Sequence, residues 1–190
     1  MQAMMRANVG HAMPYGEDRL TQEVIIRFQE LFEYETRVIF LPTGSSANSL
    51  ALATLTPPYG IIYCHKDSHV NVDECGAPEF FTGGAKLIAI SGKNGKIAPK
   101  DLENNIIGFD VVHHMQPAVV SITQVTEAGT VYTIEEIQAI SRICHKHNLK
   151  LHMDGARFAN ALVSLNCTPA EMTWKSGCLL YTSPSPRDRG

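Results

Sequence analysis

Four short polar segments of the chain carry side chains that could bind a small charged molecule. They span residues 43–48, 65–74, 124–129 and 154–157, and each comes directly after an apolar, strand-like stretch. The carboxyl ends of parallel strands meet at one edge of a sheet, where open α/β folds bind their ligands. We therefore expect the four segments to converge on one edge and to form a binding or active site there.

Segment 43–48 (Thr-Gly-Ser-Ser-Ala-Asn) has the composition of a phosphate site. Gly44 lets a ligand approach the backbone closely, and the start of the following helix offers unpaired N–H groups with a partial positive charge. Ser45 and Ser46 add hydroxyl donors. Small polar residues at such a position also simply cap helices, so helix capping is the alternative interpretation.

Charged and polar side chains in the other segments suit the recognition of a ring and a carboxylate. Asp154 follows a strand and could bind a positively charged heteroatom, while Arg157 is suited to bidentate carboxylate binding. The alternative is that Asp154 caps the next helix and pairs with Arg157. His69 could stack on a flat ring or transfer protons, or it could be purely structural. Gln124 and Thr126 place further polar groups on the same predicted edge.

Alternating strand-like and helix-like stretches must position these side chains. The apolar pattern predicts strands at 37–41, 60–64, 86–90, 118–122 and 149–153, and helices over 21–32, 47–55, 133–147 and 159–165. Thr133 and Glu136 form a capping-box pattern at the start of the third helix. This alternation predicts a three-layer α/β fold, with a mainly parallel sheet flanked by helices over residues 1–177. Residues 178–190 lack an apolar period, and we predict a disordered tail of unrelated origin there.

Charge and composition exclude several functional classes. The net charge is -3, with 44% hydrophobic and 18% charged residues, so we expect no nucleic-acid or membrane partner. The sequence contains no run of 18 or more apolar residues, so we expect no segment that spans a bilayer. Five cysteines without a CxxC pair indicate free thiols in a reducing compartment, and hence a cytoplasmic location. The histidine pairs His113–His114 and His145–His147 have the wrong spacing for one helix face, so we expect no metal site.

Four motifs together resemble the threonine aldolase and β-eliminating lyase group of the aspartate aminotransferase fold (type I). They are Tyr-Gly-Glu-Asp at 15–18, Pro-Thr-Gly-Ser-Ser-Ala-Asn at 42–48, His-Val-Asn-Val-Asp-Glu-Cys-Gly-Ala-Pro-Glu at 69–79 and His-Met-Asp-Gly-Ala-Arg at 152–157. The last two are the most specific, and they look like the low-specificity L-threonine aldolase branch. The resemblance covers about residues 4–177.

The resemblance implies pyridoxal 5'-phosphate (PLP) as the cofactor. In that case Gly44, Ser45 and Ser46 would hold its phosphate. His69 would stack on the pyridine ring and take part in proton transfer. Asp154 would pair with the pyridine nitrogen and keep it protonated, so that the ring can absorb electrons.

The resemblance also implies a substrate and a reaction. A small β-hydroxy-α-amino acid, L-threonine or allo-threonine, would be cleaved to glycine and acetaldehyde by a homotetramer. Arg157 would bind the substrate carboxylate, Gln124 and Thr126 would line the pocket, and Tyr15 would lie near an active site, its own or a neighbouring subunit's.

The lysine that forms the Schiff base with PLP is expected after one more helix and strand, and the chain contains none at that point. Lys175 precedes the expected strand, so it is not the predicted residue. We therefore expect an incomplete large domain, a fragment that is inactive by itself although its parent is an aldolase. The alternatives are another type I PLP enzyme, such as a β-eliminating lyase or an aminotransferase, and a non-catalytic remnant of the fold. A Rossmann nucleotide-binding domain needs a GxGxxG turn, which is absent.

Overall fold

A five-stranded parallel sheet forms the centre of the structure, a computed structural model that describes residues 1–178 and 180–182. The strand order is β2-β1-β3-β4-β5, and every neighbouring pair is parallel. The strands are β1 (Gly60–His65), β2 (Lys86–Ile90), β3 (Gln116–Thr123), β4 (Lys150–Asp154) and β5 (Leu180–Thr182). The predicted α/β class with a mainly parallel sheet is confirmed.

The described part of the chain contains nine helices. They are α1 (Gln2–Ala7), α2 (Arg19–Phe32), α3 (Gly44–Leu55), α4 (His69–Val72), α5 (Ala77–Phe81), α6 (Pro99–Asn105), α7 (Ile134–Lys146), α8 (Phe158–Leu165) and α9 (Pro169–Met172). Short 3-10 turns lie at Lys93–Gly95 and Trp174–Ser176. None of the helices within the described residues is both long and apolar enough to cross a bilayer.

The sheet contributes side chains to a core on each face, because neighbouring residues of a strand point in opposite directions. Ile62 of β1 packs with Leu52 of α3 and Val70 of α4 in one core. The next residue, Tyr63, belongs to the other core, which includes Ile137 of α7. Helices therefore cover each face, and the fold has three layers.

Helix α7 begins as its sequence predicts. The Thr133 hydroxyl oxygen accepts a hydrogen bond from the Glu136 backbone N–H at 3.2 Å, and a Glu136 carboxylate oxygen accepts one from the Thr133 N–H at 2.8 Å. This reciprocal cap satisfies two backbone donors at the helix start. Helix α3, by contrast, begins at Gly44 and so includes residues that we expected to lie in the preceding turn.

The predicted strand at 37–41 is wrong. These residues form neither a strand nor a helix, and Ile39 and Phe40 are 69% and 61% exposed. A strand is stable only where a neighbour takes up its backbone hydrogen bonds. The sheet formed by the described residues provides no such neighbour for this segment. An apolar composition alone therefore did not determine its conformation.

The prediction of disorder from residue 178 onward is wrong for the residues that the structure describes. Leu180–Thr182 forms β5, in register with β4, and Asp154 pairs with Thr182. Cys178 is buried, and so is Thr182. Three residues suffice because the backbone of β4 offers a ready edge for pairing. Residue 179 and residues 183–190 lie outside the described part, so the prediction for them is untested.

Candidate active site

Three of the four polar segments lie at the carboxyl edge of the sheet, and the fourth, 43–48, follows none of the described strands and reaches the site through Asn48 of α3. Asp154 ends β4, segment 124–129 follows β3, and His69 opens helix α4 shortly after β1. Thr182 ends β5 next to Asp154. Because all the strands are parallel, each of these segments leaves the sheet at the same edge.

Asp154 is buried, and both of its carboxylate oxygens are hydrogen-bonded. Oδ1 accepts from the backbone N–H of Ala156 at 3.0 Å, and Oδ2 accepts from the side-chain amide of Asn48 at 3.0 Å. Helix α8 begins after Arg157, and no side-chain hydrogen bond caps it. The alternative interpretation, in which Asp154 caps that helix and pairs with Arg157, is thus not what the structure contains.

The start of helix α3 combines both interpretations of segment 43–48. Thr43 caps the helix by accepting from the Ser46 N–H at 3.1 Å, and the two hydroxyls lie 2.8 Å apart. The first amides of the helix, those of Gly44 and Ser45, have no acceptor within the helix. Capping is therefore real, and it leaves two N–H groups available for an anion.

Asn48 places this helix start beside Asp154. Its amide reaches the Asp154 carboxylate, and it lies three residues after Ser45. With a rise of about 1.5 Å per residue, the two positions are separated by roughly 4.5 Å along the helix axis. Asn48 therefore lies about one helical turn into α3 from the predicted phosphate site, and its side chain reaches the Asp154 carboxylate.

His69 pairs with a buried carboxylate. Its Nδ1 atom lies 2.9 Å from Oε1 of Glu74, whose side chain is fully buried. Burial lowers the pKa of His69, but the hydrogen bond and the negative charge of Glu74 outweigh it, and the pKa lies above its ordinary value. Burial in turn raises the pKa of Glu74, although Asn48 and His69 hydrogen-bond to it and act in the opposite direction.

Arg157 and Glu127 form a second charged group of this edge. The Arg157 side chain is 45% exposed, and its Nη1 atom lies 3.7 Å from Oε1 of Glu127 and 3.4 Å from the Val125 carbonyl oxygen. Oε1 of Glu127 is buried without a hydrogen-bond partner. Burial raises the pKa of Glu127, and the nearby charge of Asp154 adds to this effect, whereas Arg157 opposes it.

Gln124 and Thr126 use their polar atoms within their own loop and, for Thr126, with the turn at Lys93–Gly95. The Gln124 amide donates to the Tyr132 carbonyl at 2.8 Å and accepts from the Tyr132 N–H at 2.9 Å. The Thr126 hydroxyl lies 2.8 Å from that of Thr130 and also donates to the Asn94 carbonyl. Both side chains are buried. The structure gives them a role in shaping the loop, and their predicted contact with a substrate is untested.

Two further residues named from the sequence lie apart from these contacts. Tyr15 is fully exposed in the turn before α2, with a left-handed φ of 63°, and the structure does not bring it to the site of its own chain. Its position near a neighbouring subunit's site stays a prediction. Lys175 places its ammonium 2.6 Å from Glu33 and over the ring of Trp174.

Sequence reasoning missed the residues that join the site together. Asn48 bridges Asp154 and Glu74, and its carbonyl oxygen accepts from the Thr182 hydroxyl at 2.8 Å. One signal could have revealed Asn48. It shares the inward face of α3 with Ala51, at a spacing of three residues, and a polar side chain on an apolar helix face needs a buried partner.

Comparisons with known proteins identify the family to which this chain belongs. A parallel sheet with polar side chains at its carboxyl edge is the arrangement in which open α/β folds bind small ligands. The family model described as beta-eliminating lyase matches residues 1–178, and the chain belongs to that family. It is 46% identical over 175 residues to a low specificity L-threonine aldolase of Pseudomonas sp., covering 92% of this chain and 51% of that relative.

Solved structures agree with the family. Leishmania major threonine aldolase superposes with a TM-score of 0.83 at 30% identity, covering 90% of this chain and 50% of that one. A Thermus thermophilus aspartate aminotransferase variant, at 16% identity and a TM-score of 0.59, shows the common fold alone and covers 82% of this chain and 40% of that one. The predicted resemblance and fold are confirmed. The chain spans about half the length of the threonine aldolases it matches.

Proposed function

We propose that this chain forms the PLP site of an enzyme that cleaves L-threonine or L-allo-threonine to glycine and acetaldehyde. The observation that carries the proposal is the 3.0 Å hydrogen bond between Asn48 and Asp154. It joins a buried carboxylate to a side chain that lies about one helical turn into a helix with free first amides. A cofactor with an anionic group and a basic ring nitrogen needs such a pair of sites.

The residues at the helix start fit a phosphate group. The amides of Gly44 and Ser45 point out of the helix, and the Ser45 hydroxyl can add a donor. A side chain added at Gly44 would meet no atom within 4 Å, so the approach to the backbone is open. Ser46 contributes through its position in the first turn, since its hydroxyl is already paired with Thr43.

Asp154, His69 and Arg157 would contact the cofactor ring and the substrate. When bound, PLP would supply an electron sink for the pair released at the substrate Cα. Asp154 would accept a hydrogen bond from the ring nitrogen, and His69 would lie against the ring. Arg157 would bind the substrate carboxylate, because its half-exposed side chain makes only long contacts, 3.4 Å to the Val125 carbonyl oxygen and 3.7 Å to Oε1 of Glu127.

Proton transfer belongs to the groups around the reacting carbon. Cleavage of the Cα–Cβ bond requires that a base remove the β-hydroxyl proton and that Cα later receive one. His69 is partly exposed at the edge of the site, so it can take part in this transfer. Glu127 supplies a carboxylate with a buried, unpartnered oxygen near Arg157 and is the better candidate from its loop for contact with substrate.

The wider setting is also a proposal. We place the protein in the cytoplasm as a homotetramer in which Tyr15 approaches a neighbouring subunit's site, and its partner is a small β-hydroxy-α-amino acid. Residues 1–177 would be part of one PLP-binding large domain. The net charge of -3 supports the absence of nucleic-acid and membrane partners.

An assay of the products separates this reaction from its alternatives. The full-length protein that contains this chain should convert L-threonine to equal amounts of glycine and acetaldehyde, the latter measured by coupled reduction with alcohol dehydrogenase. Formation of 2-oxobutanoate and ammonia would instead indicate a β-eliminating lyase. Transfer of the amino group to a keto acid would indicate an aminotransferase, and either result without aldehyde would overturn the proposal.

A further inference from the structure

A single amide lies between the two buried carboxylates of the site. The Nδ2 atom of Asn48 is 2.7 Å from Oε1 of Glu74 and 3.0 Å from Oδ2 of Asp154. The other side of the amide, Oδ1, accepts from the Thr182 hydroxyl at 2.8 Å. An ionised carboxylate can only accept hydrogen bonds, so the NH₂ group must face the two acids. The orientation of Asn48 is thereby fixed.

The same Glu74 oxygen also contacts His69, at 2.9 Å from Nδ1. Because that oxygen only accepts, Nδ1 must carry the proton of the neutral ring. Nε2 has no hydrogen-bond partner among the described residues, and the His69 side chain is 41% exposed. We propose that Glu74 is a positioning residue. It holds His69 as the Nδ1–H tautomer, leaves Nε2 to exchange protons with bound substrate, and keeps the imidazole basic.

This role deepens the proposed function and rests on it. A proton taken up at Nε2 from the β-hydroxyl gives an imidazolium, and the negative charge of Glu74 stabilises that positive charge across the Nδ1–H bond. Asn48 donates hydrogen bonds to both Glu74 and Asp154. The same amide therefore helps to position Asp154, which would contact the ring nitrogen, and His69, which would lie against the ring. The hydroxyl of Thr182, at the end of β5, holds the Asn48 amide in place by donating to its Oδ1.

A purely structural Glu74 would have a different signature. It would serve only as a buried acceptor for Asn48, and the tautomer and basicity of His69 would then be independent of it. The geometry predicts that they depend on it in two separable ways. The hydrogen bond sets the tautomer, whereas the charge sets the basicity.

Histidine side-chain NMR on the 190-residue chain, without cofactor or substrate, tests both. Two-bond ¹H–¹⁵N correlations identify which ring nitrogen carries the proton, and a His69→Asn variant assigns the signal. In the wild type, the neutral ring should be protonated on Nδ1. Glu74→Gln keeps an acceptor but removes the charge, so the tautomer should persist while the titration midpoint moves to lower pH. Glu74→Ala should lower the midpoint and also convert the neutral ring to the Nε2–H form.

Asp73→Asn is the matched control, because Asp73 is an exposed neighbouring carboxylate that contributes least to the His69 pKa. Its midpoint should move less than that of Glu74→Gln. An Nε2–H tautomer in the wild type would overturn the proposal without any variant. So would equal midpoints for Glu74→Gln and the wild type. If a variant folds poorly, residue-specific carbethoxylation followed by mass spectrometry measures the same midpoint at low protein concentration.

The test is independent of turnover. An Nε2–H tautomer, or equal midpoints for Glu74→Gln and the wild type, would refute the positioning role of Glu74 even if the protein cleaves threonine. If the full-length protein released no acetaldehyde from threonine, the proposed function would be refuted, but the predicted effect of Glu74 on His69 would still stand.

Discussion

Mild acid should destabilise this fold through His152, the histidine in the middle of β4. Its side chain is completely buried, with Nδ1 2.9 Å from the Ser121 hydroxyl and Nε2 without a partner. Burial lowers the pKa of His152 from 6.5 to about 4, although the charge of Asp154 acts in the other direction. The folded protein therefore keeps this ring neutral at pH values where the unfolded chain protonates it.

The sign and size of the effect follow from this difference. Below pH 6.5 the unfolded state binds a proton that the folded state does not, so stability falls as the pH falls and levels off near pH 4. The interval between the two pKa values corresponds to about 3 kcal/mol in the free energy of unfolding, of which about 2 kcal/mol is lost by pH 5. Above pH 7 the contribution vanishes.

Urea unfolding at several pH values measures this loss. Burial raises the pKa of Glu74 and Glu127, so their protonation adds stability as the pH falls and partly masks the histidine. The comparison is therefore between the wild type and His152→Asn, which retains a donor for Ser121 but does not titrate. The variant should lose about 2 kcal/mol less between pH 7.5 and pH 5. His113→Asn, at an exposed position, should behave as the wild type. Parallel curves for wild type and His152→Asn would refute the reasoning.

Three other substitutions probe the site and its frame. Asn48→Ala removes one donor from each of two buried carboxylates, which keep only the Ala156 N–H and the His69 Nδ1–H as donors in the described part of the chain. Because a hydrogen bond to a charged group contributes about 1.5–3 kcal/mol, the variant should be destabilised by about 3–5 kcal/mol in urea unfolding. Asn71→Ala, whose single side-chain hydrogen bond is exposed, should cost less than about 1 kcal/mol. Thr133→Ala removes the cap of α7 and should cost about 1 kcal/mol, and an unchanged midpoint would contradict the capping role. Gly44→Ala should leave stability unchanged or raise it by about 0.4–1 kcal/mol while weakening phosphate binding, because the new methyl group enters only the open space beside the helix start. A loss of stability at that position would show that the space is not open.

Local signals in the sequence were sufficient for the parts of the fold that depend on local chemistry. The capping box at Thr133 and the apolar spacing of α7 are complete within one helix, and the strands at 60–64 and 86–90 are short, mostly apolar runs. Segment 37–41 has the same composition, but its conformation depends on a partner strand elsewhere. Whether a partner exists is a property of the whole sheet, and no local pattern contains it.

The site, too, contains some residues that local sequence signals identify and others that only the tertiary structure reveals. Asp154 and Gly44 were identifiable because each stands at a strand end or a helix start, positions with a general chemical meaning. The Asn48 amide joins residues that are 26 and 106 positions away in the chain, and its third partner lies in a segment that we expected to be disordered. Such a bridge follows from the packing of α3 on the sheet, so only the tertiary structure reveals it.

Binding of a cofactor analogue tests the central claim most directly. 4'-Deoxypyridoxine 5'-phosphate has the ring nitrogen and the phosphate of PLP but no aldehyde, so it does not react with surface lysines. In calorimetric titration, Asp154→Asn should weaken its binding by about 10- to 150-fold, the equivalent of a charge-assisted hydrogen bond of about 1.5–3 kcal/mol. The exposed control Asp73→Asn should bind as the wild type does. Equal affinities for Asp154→Asn and the wild type would contradict the account.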